Sequence, residues 1–292
     1  MNRILLISML MPLIAMVFSD KIEAQELKAY QLFEGDGNKT DFGQMVERIK
    51  EADVVFFGEF HNNPICHWLQ REILEILHSE HQDNLVIGAE FFEAHDQLIL
   101  DEYFSGHISE NNFNNEARFW GNYETDYKPL VEYARHNGLP FIATNVPRRY
   151  ANVIFRMGFE GIDSLPVQDG RRYMAPLPIE VDMELRTYQM MLEMAHGEGA
   201  NKFVYAQAIK DATMAHFIHE NMDETTRFYH INGAFHTNYK EGIIWYLERL
   251  NPNLDIVNIS SVMAPDAKKW DDEHEGIGDF VLSINQKMTT TH

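Results

Sequence analysis

The sequence predicts an α/β protein of three layers, in which a mostly parallel central sheet is covered by helices on both faces. Six short apolar runs alternate along the chain with longer segments whose apolar residues recur every three or four positions. Near-continuous apolar runs are typical of strands buried on both faces, as in a parallel sheet. The period of three to four residues is typical of amphipathic helices, which pack on such a sheet.

The six apolar runs are the predicted strands, and four of the segments between them are predicted helices. The strands are residues 54–57, 85–92, 141–146, 228–235, 254–259 and 280–284, and the helices are residues 64–80, 127–137, 202–221 and 238–250. Asn62 or Asn63 can cap the first helix, since asparagine before proline is a favourable helix start.

The middle of the chain, from about residue 95 to residue 199, contains only one predicted strand. The rest is rich in aromatic residues or has a helical pattern, including residues 179–196 with several methionines. We therefore expect a helical insertion, or lid, over the sheet. The economical prediction is one domain over residues 25–292, with this helical part inside it.

Residues 1–24 have the pattern of a secretory signal peptide. Arg3 precedes an apolar run over residues 4–18, which is too short for a comfortable membrane span. Cleavage after Ala24 would give an exported protein, periplasmic or secreted. Cys66 is the single cysteine, so we expect neither a disulfide nor the lipid anchor of a lipoprotein.

The composition excludes some partners. With 24 Lys and Arg against 45 Asp and Glu, the formal net charge is −21. A chain this acidic repels the phosphates of nucleic acids, so no nucleic-acid partner is expected.

Two stretches share a Gly-x-x-His pattern, and each of them ends a predicted strand. They are residues 58–61 and 233–236. Because ligands of open α/β sheets bind outside the carboxyl ends of the strands, we expect the two histidines to meet at one edge of the sheet. Glu90 is a further signal, since it lies inside an apolar run and a buried carboxylate is costly unless it is paired or coordinated.

These observations predict a catalytic or metal site. Its predicted catalytic residues are Glu59, His61, Glu90 and His236. A divalent metal such as zinc would be held by His61, Glu90 and His236, with one position open for water. Without a metal, a His and Glu pair can activate water by proton transfer, and the spacing does not distinguish the two mechanisms.

Three more side chains are predicted to line the same pocket: His67, Asn145 and Arg148. His67 follows His61 on the first turn of the next helix, and Asn145 and Arg148 follow the third strand. An arginine in this place can bind a carboxylate of a ligand.

At these positions the sequence resembles the ChaN-like proteins of the haem-binding-uptake and Tiki superfamily. The similarity covers about residues 50 to 240, and its motifs are Gly-Glu-Phe-His-Asn-Asn-Pro at 58–64, Gly-Ala-Glu-Phe-Phe at 88–92, Asn-Val-Pro-Arg at 145–148, Asp-Ala-Thr-Met-Ala at 211–215 and Gly-Ala-Phe-His at 233–236.

The resemblance implies an exported haem-binding protein of iron or haem uptake at the bacterial envelope, whose partners are haem or another small molecule and envelope uptake components. A homodimer is a further expectation. Tyrosinate and histidine are suitable ligands for ferric haem, and the candidates are Tyr123, Tyr127 and His196. The alternative implied by the wider superfamily is a metal-dependent hydrolase of a peptide, ester or amide.

Overall fold

The structure is a computed structural model, which describes residues 27–165, 168–195 and 199–291. The predicted signal peptide and His196 lie outside the described residues. In the described ranges the strands are β1 (Tyr30–Glu34), β2 (Lys39–Thr40), β3 (Val54–Glu59), β4 (Leu85–Glu93), β5 (Phe141–Asn145), β6 (Arg227–Gly233), β7 (Ile256–Ala264) and β8 (Phe280–Asn285).

The α-helices of the same ranges surround this sheet. They are α1 (Phe42–Glu51), α2 (Pro64–His81), α3 (Gln97–Phe104), α4 (Glu110–Glu116), α5 (Lys128–His136), α6 (Arg148–Met157), α7 (Glu160–Asp163), α8 (Arg186–Ala195), α9 (Ala200–Glu220) and α10 (Ile243–Leu250). A short π-helical turn over Tyr123–Tyr127 precedes α5. No helix within the described part of the chain is long and apolar enough to cross a membrane.

The eight strands form one sheet in the order β2-β1-β8-β7-β3-β6-β4-β5. All neighbours from β8 to β5 pair in parallel, and only β1 pairs antiparallel with β8 and β2. The predicted mostly parallel sheet is therefore confirmed. The order places β3, β6 and β4 side by side, so the segments that follow these strands lie next to one another.

Helices cover both faces of the sheet, as predicted. Val55 and Phe57 of β3 share a buried cluster with α1, α2 and α5 on one face. Val54 and Phe56 of the same strand share another cluster with α8, α9 and α10 on the opposite face. Alternate residues of a strand point to opposite faces, so a strand that is apolar at every position has a helix layer on each side.

The middle of the chain contains α3 to α8 and one strand, β5. The predicted helix over 179–196 was too long, because α8 begins only at Arg186. At this helix start the carboxylate of Glu241 accepts hydrogen bonds from the backbone N–H groups of Arg186 and Thr187. Similarly, the predicted helix over 238–250 is a short 3₁₀ turn followed by α10. Gly242 separates the two with a φ of +55°, a conformation that favours glycine.

Candidate functional site

The two Gly-x-x-His stretches meet at the carboxyl ends of β3 and β6. These strands pair in parallel, with Glu59 opposite Gly233. A Cβ atom on Gly233 would lie 2.9 Å from the Cε1 and Nε2 atoms of His61, and one on Gly58 would lie 2.8 Å from the Cα atom of Ala234. Each glycine is therefore required by the close approach of the other stretch.

His61 is held by a buried carboxylate. Glu59 is only 3% exposed, and its Oε1 atom lies 2.8 Å from Nδ1 of His61 and accepts a 2.6 Å hydrogen bond from the hydroxyl of Tyr127. Gln70 donates to the other oxygen of Glu59. Because an ionised carboxylate only accepts hydrogen bonds, Nδ1 carries the proton toward Glu59, and Nε2 is the nitrogen that faces Gly233 and the cleft.

The environment of His61 favours its protonated form. Burial lowers the pKa of the imidazole, but the hydrogen bond to Glu59 and the charge of Glu90 act the other way, and the net effect raises the pKa. The side chain of His61 is 44% exposed. His61 is therefore open to a ligand on one side and fixed by Glu59 on the other.

The backbone of the His61 loop is held from behind by polar side chains. Asn122 donates to the carbonyl oxygen of His61 at 2.6 Å and to the Asp126 carboxylate at 2.6 Å. Nε2 of His67 lies 3.2 Å from the same carbonyl oxygen. The sequence predicted that His67 lines the pocket. His67 is buried and supports the loop from behind, and it is not among the residues that line the two cavities beside His61.

The second histidine, His236, lies in a buried charged set. Its Nε2 atom is 3.2 Å from Oε1 of Glu90, and its Nδ1 atom hydrogen bonds with the carboxylate of Asp211 on α9. The other oxygen of Glu90 accepts a 2.8 Å hydrogen bond from the backbone N–H of Gly233. Tyr188 donates to Asp211 at 2.8 Å. Both nitrogens of His236 therefore face carboxylates.

The pKa values of this set are shifted by burial and by the mutual charges. Burial lowers the pKa of His236, but the charges of Glu90 and Asp211 outweigh it and raise the pKa to about 9. Burial raises the pKa of Glu90, but His236 brings it well below its ordinary value. For Asp211 burial prevails, and the pKa is raised. At neutral pH the set thus contains an imidazolium between Glu90 and Asp211.

The predicted metal ligands are brought together, but they pair with each other directly. Within residues 27–165, 168–195 and 199–291, no group of three or more His, Cys, Asp or Glu side chains is arranged to hold a metal ion. Because Glu90 and His236 form a direct ion pair, the geometry does not support the divalent metal that the sequence offered as an alternative.

Asn145 and Arg148 lie close to the site in different roles. Asn145 donates to the backbone carbonyl of Glu90 at 3.0 Å. This hydrogen bond lies where the pairing of β4 with β5 shifts register. Such an irregularity changes the direction in which side chains point. The side chain of Arg148 is 62% exposed at the rim, and its Nε atom is 4.0 Å from Glu93.

The predicted tyrosine ligands are in the interior. Tyr123 stacks on Phe119 with ring centroids 3.8 Å apart, and Tyr127 stacks on Phe91 at 4.2 Å. Burial raises the pKa of both phenols, and the charge of Glu59 raises that of Tyr127 further. Because the phenolate is the form that binds ferric iron, these positions do not favour either tyrosine as a haem ligand.

Two cavities flank His61, and both contain residues of the site. The first has a volume of about 660 Å³, and its apolar lining includes Phe235, Val262, Met263 and Ile277. The second has a volume of about 530 Å³, and it combines aromatic with charged residues, which are Phe91, Trp120, Glu90, Glu93, Arg118, Arg148 and Lys210. Both volumes are in the range of small-molecule sites.

Three residues of the site, Asp211, Gln70 and Asn122, were not predicted as site residues from the sequence. Asp211 had a usable signal, since it precedes the apolar residues of 212–215 in a helix and is fully buried. A charge inside an apolar segment is the same signal that singled out Glu90. Gln70 and Asn122 had no such signal, because an amide side chain on a helix or loop is common, and its role is recognisable only once its hydrogen-bond acceptor is known.

The fold and the site define a three-layer α/β protein with a cleft between paired Gly-x-x-His stretches. Residues 45–247 match the model of a family described as haem-binding uptake, Tiki superfamily, ChaN, and the chain belongs to this family. The resemblance found in the sequence is therefore confirmed.

Two solved structures are similar to the chain, and the first shares its fold. ChaN of Campylobacter jejuni, described with cofacial haem binding, has a TM-score of 0.68 and 19% sequence identity over 87% of this chain and 96% of that chain. A mutant of the erythromycin esterase EreC in its open conformation has a TM-score of 0.46 and 13% identity over 77% of this chain and 74% of that chain. No curated protein matches the sequence.

Proposed function

We propose that the protein binds haem in the cleft beside His61. The observation that carries this proposal is membership of a haem-binding family over residues 45–247. The cleft supports it physically, because a cavity of about 660 Å³, whose surface is mostly apolar although polar side chains also line it, and a second cavity of about 530 Å³ adjoin the same imidazole. Large apolar surfaces with a few polar groups are what a porphyrin requires.

His61 is the side chain that we propose to hold the haem iron. Histidine is a common axial ligand of haem, and a carboxylate behind the ring fixes the tautomer and makes the imidazole a stronger ligand. Glu59 is in that position, 2.8 Å from Nδ1 of His61. When bound, haem would supply an iron centre at this cleft.

A haemin titration of the chain from residue 25 onward tests the proposal. We expect a saturable change of the Soret band at one equivalent or less, and an altered spectrum in the His61→Ala variant. The matched control is His107→Ala, because His107 is exposed and its side chain hydrogen bonds locally, to Ser105 at 2.7 Å. Spectra identical to those of free haemin in the presence of equimolar wild-type protein would overturn the proposal.

We also propose that the protein is exported and acts in haem or iron uptake, as a homodimer with envelope components as partners. The signal-peptide pattern of residues 1–24 and the uptake role in the family description support this. Cell fractionation and N-terminal sequencing of the mature chain should find residue 25 at the start. Retention of residues 1–24 on a cytoplasmic protein would contradict export, and sedimentation with and without haemin tests the dimer.

Hydrolysis of a peptide, ester or amide is a second candidate function. One observation favours it: the imidazole of His61 is oriented by a buried glutamate, which is the arrangement of a general base. The family description does not favour it. A rate above that of His61→Ala on a panel of esters and amides, without added metal, would support hydrolysis, whereas equal rates would contradict it.

A further inference from the structure

We infer that Thr291 is a positioning residue for His61. It lies in the segment that follows β8, residues 286–291, and it holds the loop that carries this histidine. The inference rests on the proposed function, in which His61 binds the ligand, and it identifies a residue that keeps the imidazole in place. Residues 286–291 lie outside the range 45–247 that matches the family model, so the match does not account for this contact.

The segment leaves the sheet at the same edge as the His61 loop. β8 is parallel to β7, and β7 is parallel to β3, so the carboxyl ends of β8 and β3 lie on one side. After β8 the chain turns, and the backbone N–H of Met288 donates to the carbonyl oxygen of Asn285 at 2.9 Å. The Met288 side chain packs against the buried cluster that α1, α2 and α5 form with the sheet. Three residues further along, Thr291 reaches the His61 loop.

Thr291 contacts the loop through its backbone and through its side chain. Its backbone N–H donates to the carbonyl oxygen of Asn62 at 3.0 Å. Its hydroxyl donates to Oδ2 of Asp126 at 2.6 Å and lies 3.3 Å from the same carbonyl oxygen of Asn62. The preceding carbonyl oxygen, that of His61, accepts from Asn122 at 2.6 Å. Two successive carbonyl groups of the loop are therefore held by side chains and backbone from distant parts of the chain.

Asp126 connects the Thr291 hydroxyl to the backbone of His61. It is 7% exposed, and the oxygen that accepts from Thr291 also accepts from the amide of Asn122 at 2.6 Å. Among the described residues no lysine or arginine nitrogen lies within 4.0 Å of this carboxylate, and Nε2 of His67 is 3.4 Å away. A buried acceptor that loses a donor is costly. Without the hydroxyl, the Asn122 amide and the His61 carbonyl that it holds are expected to shift.

The π-helical turn (Tyr123–Tyr127) that accepts from Thr291 also supports the imidazole of His61. Tyr127 donates to Glu59 at 2.6 Å, and Glu59 holds Nδ1 of His61. Such turns are frequent at functional sites. Thr291 therefore acts on the backbone of His61 and, through one turn, on the carboxylate that orients its ring.

The decisive experiment compares Thr291→Val with the wild type, in the chain from residue 25 onward. Valine has nearly the volume of threonine but no hydroxyl. The ¹⁵N resonances of the His61 ring, assigned with His61→Ala, should shift in Thr291→Val in the absence of haemin. Haemin should bind about threefold more weakly, which is part of the worth of one hydrogen bond. Thr291→Ser keeps the hydroxyl and should have the wild-type resonances and affinity.

The control is Thr289→Val, which makes the same change on an exposed residue of the same segment. It should match the wild type in both measurements. His61 resonances that stay unchanged in Thr291→Val, or a Thr291→Ser variant that behaves like the valine variant, would overturn the inference and leave haem binding intact. Failure of the wild type to bind haemin would overturn the proposed function instead, and the His61 resonances would then decide the role of Thr291 alone.

Discussion

Replacing Glu90 by glutamine should destabilise the protein by an amount that depends on pH. Glutamine keeps an oxygen for the backbone N–H of Gly233, which Glu90 accepts at 2.8 Å. It removes the negative charge that lies 3.2 Å from Nε2 of His236. The substitution thus changes one buried charge while the volume and one hydrogen bond remain.

The magnitude follows from the pKa of His236. That pKa is about 9 in the folded protein, against an ordinary value of 6.5. A raised histidine pKa stabilises the folded state fully below pH 6.5, and this stabilisation is lost as the pH rises through 9. At pH 7, which lies about two units below the folded pKa and just above the ordinary one, this amounts to roughly 2–3 kcal/mol, at about 1.4 kcal/mol for each pKa unit. Since Asp211 also contributes, Glu90→Gln should cost about 2 kcal/mol at pH 7 and almost nothing at pH 10.

Urea unfolding of both proteins at pH 7 and pH 10 measures the two differences. The matched control is Glu93→Gln on the same strand. Among the described residues its charged partners are the more distant His95 and Arg148, so it should change stability by less than about 1 kcal/mol. A loss below about 0.5 kcal/mol at pH 7, or an equal loss at pH 10, would refute the charged pair as the source of the raised pKa.

Two further predictions concern His61. Gly233→Ala places a Cβ atom 2.9 Å from the His61 ring, so it should displace the ring, cost about 1–3 kcal/mol of stability and change the haemin spectrum. Gly121→Ala, which has open space around the added atom, is the control for stability and should not show that loss. Tyr127→Phe removes the 2.6 Å hydrogen bond to Glu59. The substitution should cost about 1–2 kcal/mol of stability and raise the pKa of His61. An unchanged or lower His61 pKa, measured by NMR titration, would contradict this.

The sequence revealed the strands that are buried along their length and missed those that are not. β3 to β6 and β8 were predicted within two residues at each end. β7 continues to Ala264, five residues beyond its predicted end, because Ser260 and Ser261 interrupt the apolar run. In β1 only Leu32 and Phe33 are buried, and β2 has two residues, so neither forms a recognisable run. Helix α1 had a usable signal that was overlooked, the capping box of Asp41 with Gln44. The position of β6 between β3 and β4 depends on packing between distant segments, which local patterns do not contain.

Site residues were predicted where their polarity conflicts with the predicted surroundings. They were missed or misassigned where their polarity suits those surroundings. Glu90 was found because a carboxylate does not belong in an apolar run. Tyr127 was assigned to iron, yet it is a buried donor to Glu59, and its aromatic neighbourhood does not distinguish these roles. The ion pair of Glu90 with His236 could not be predicted either, since a metal site would have the same residues at the same spacing.

The geometry separates the two histidines that the sequence treated as equivalent. Both nitrogens of His236 face carboxylates, from Glu90 and Asp211, so this imidazolium is committed to the protein itself. His61 has one nitrogen engaged by Glu59 and a half-exposed ring, and it is the imidazole of the pair that can serve a ligand. One imidazole cannot bind iron and accept a proton from water at the same time. If the chain has both activities, haemin must therefore inhibit hydrolysis in proportion to its occupancy of His61, and hydrolysis that persists at saturating haemin would show that the base lies elsewhere.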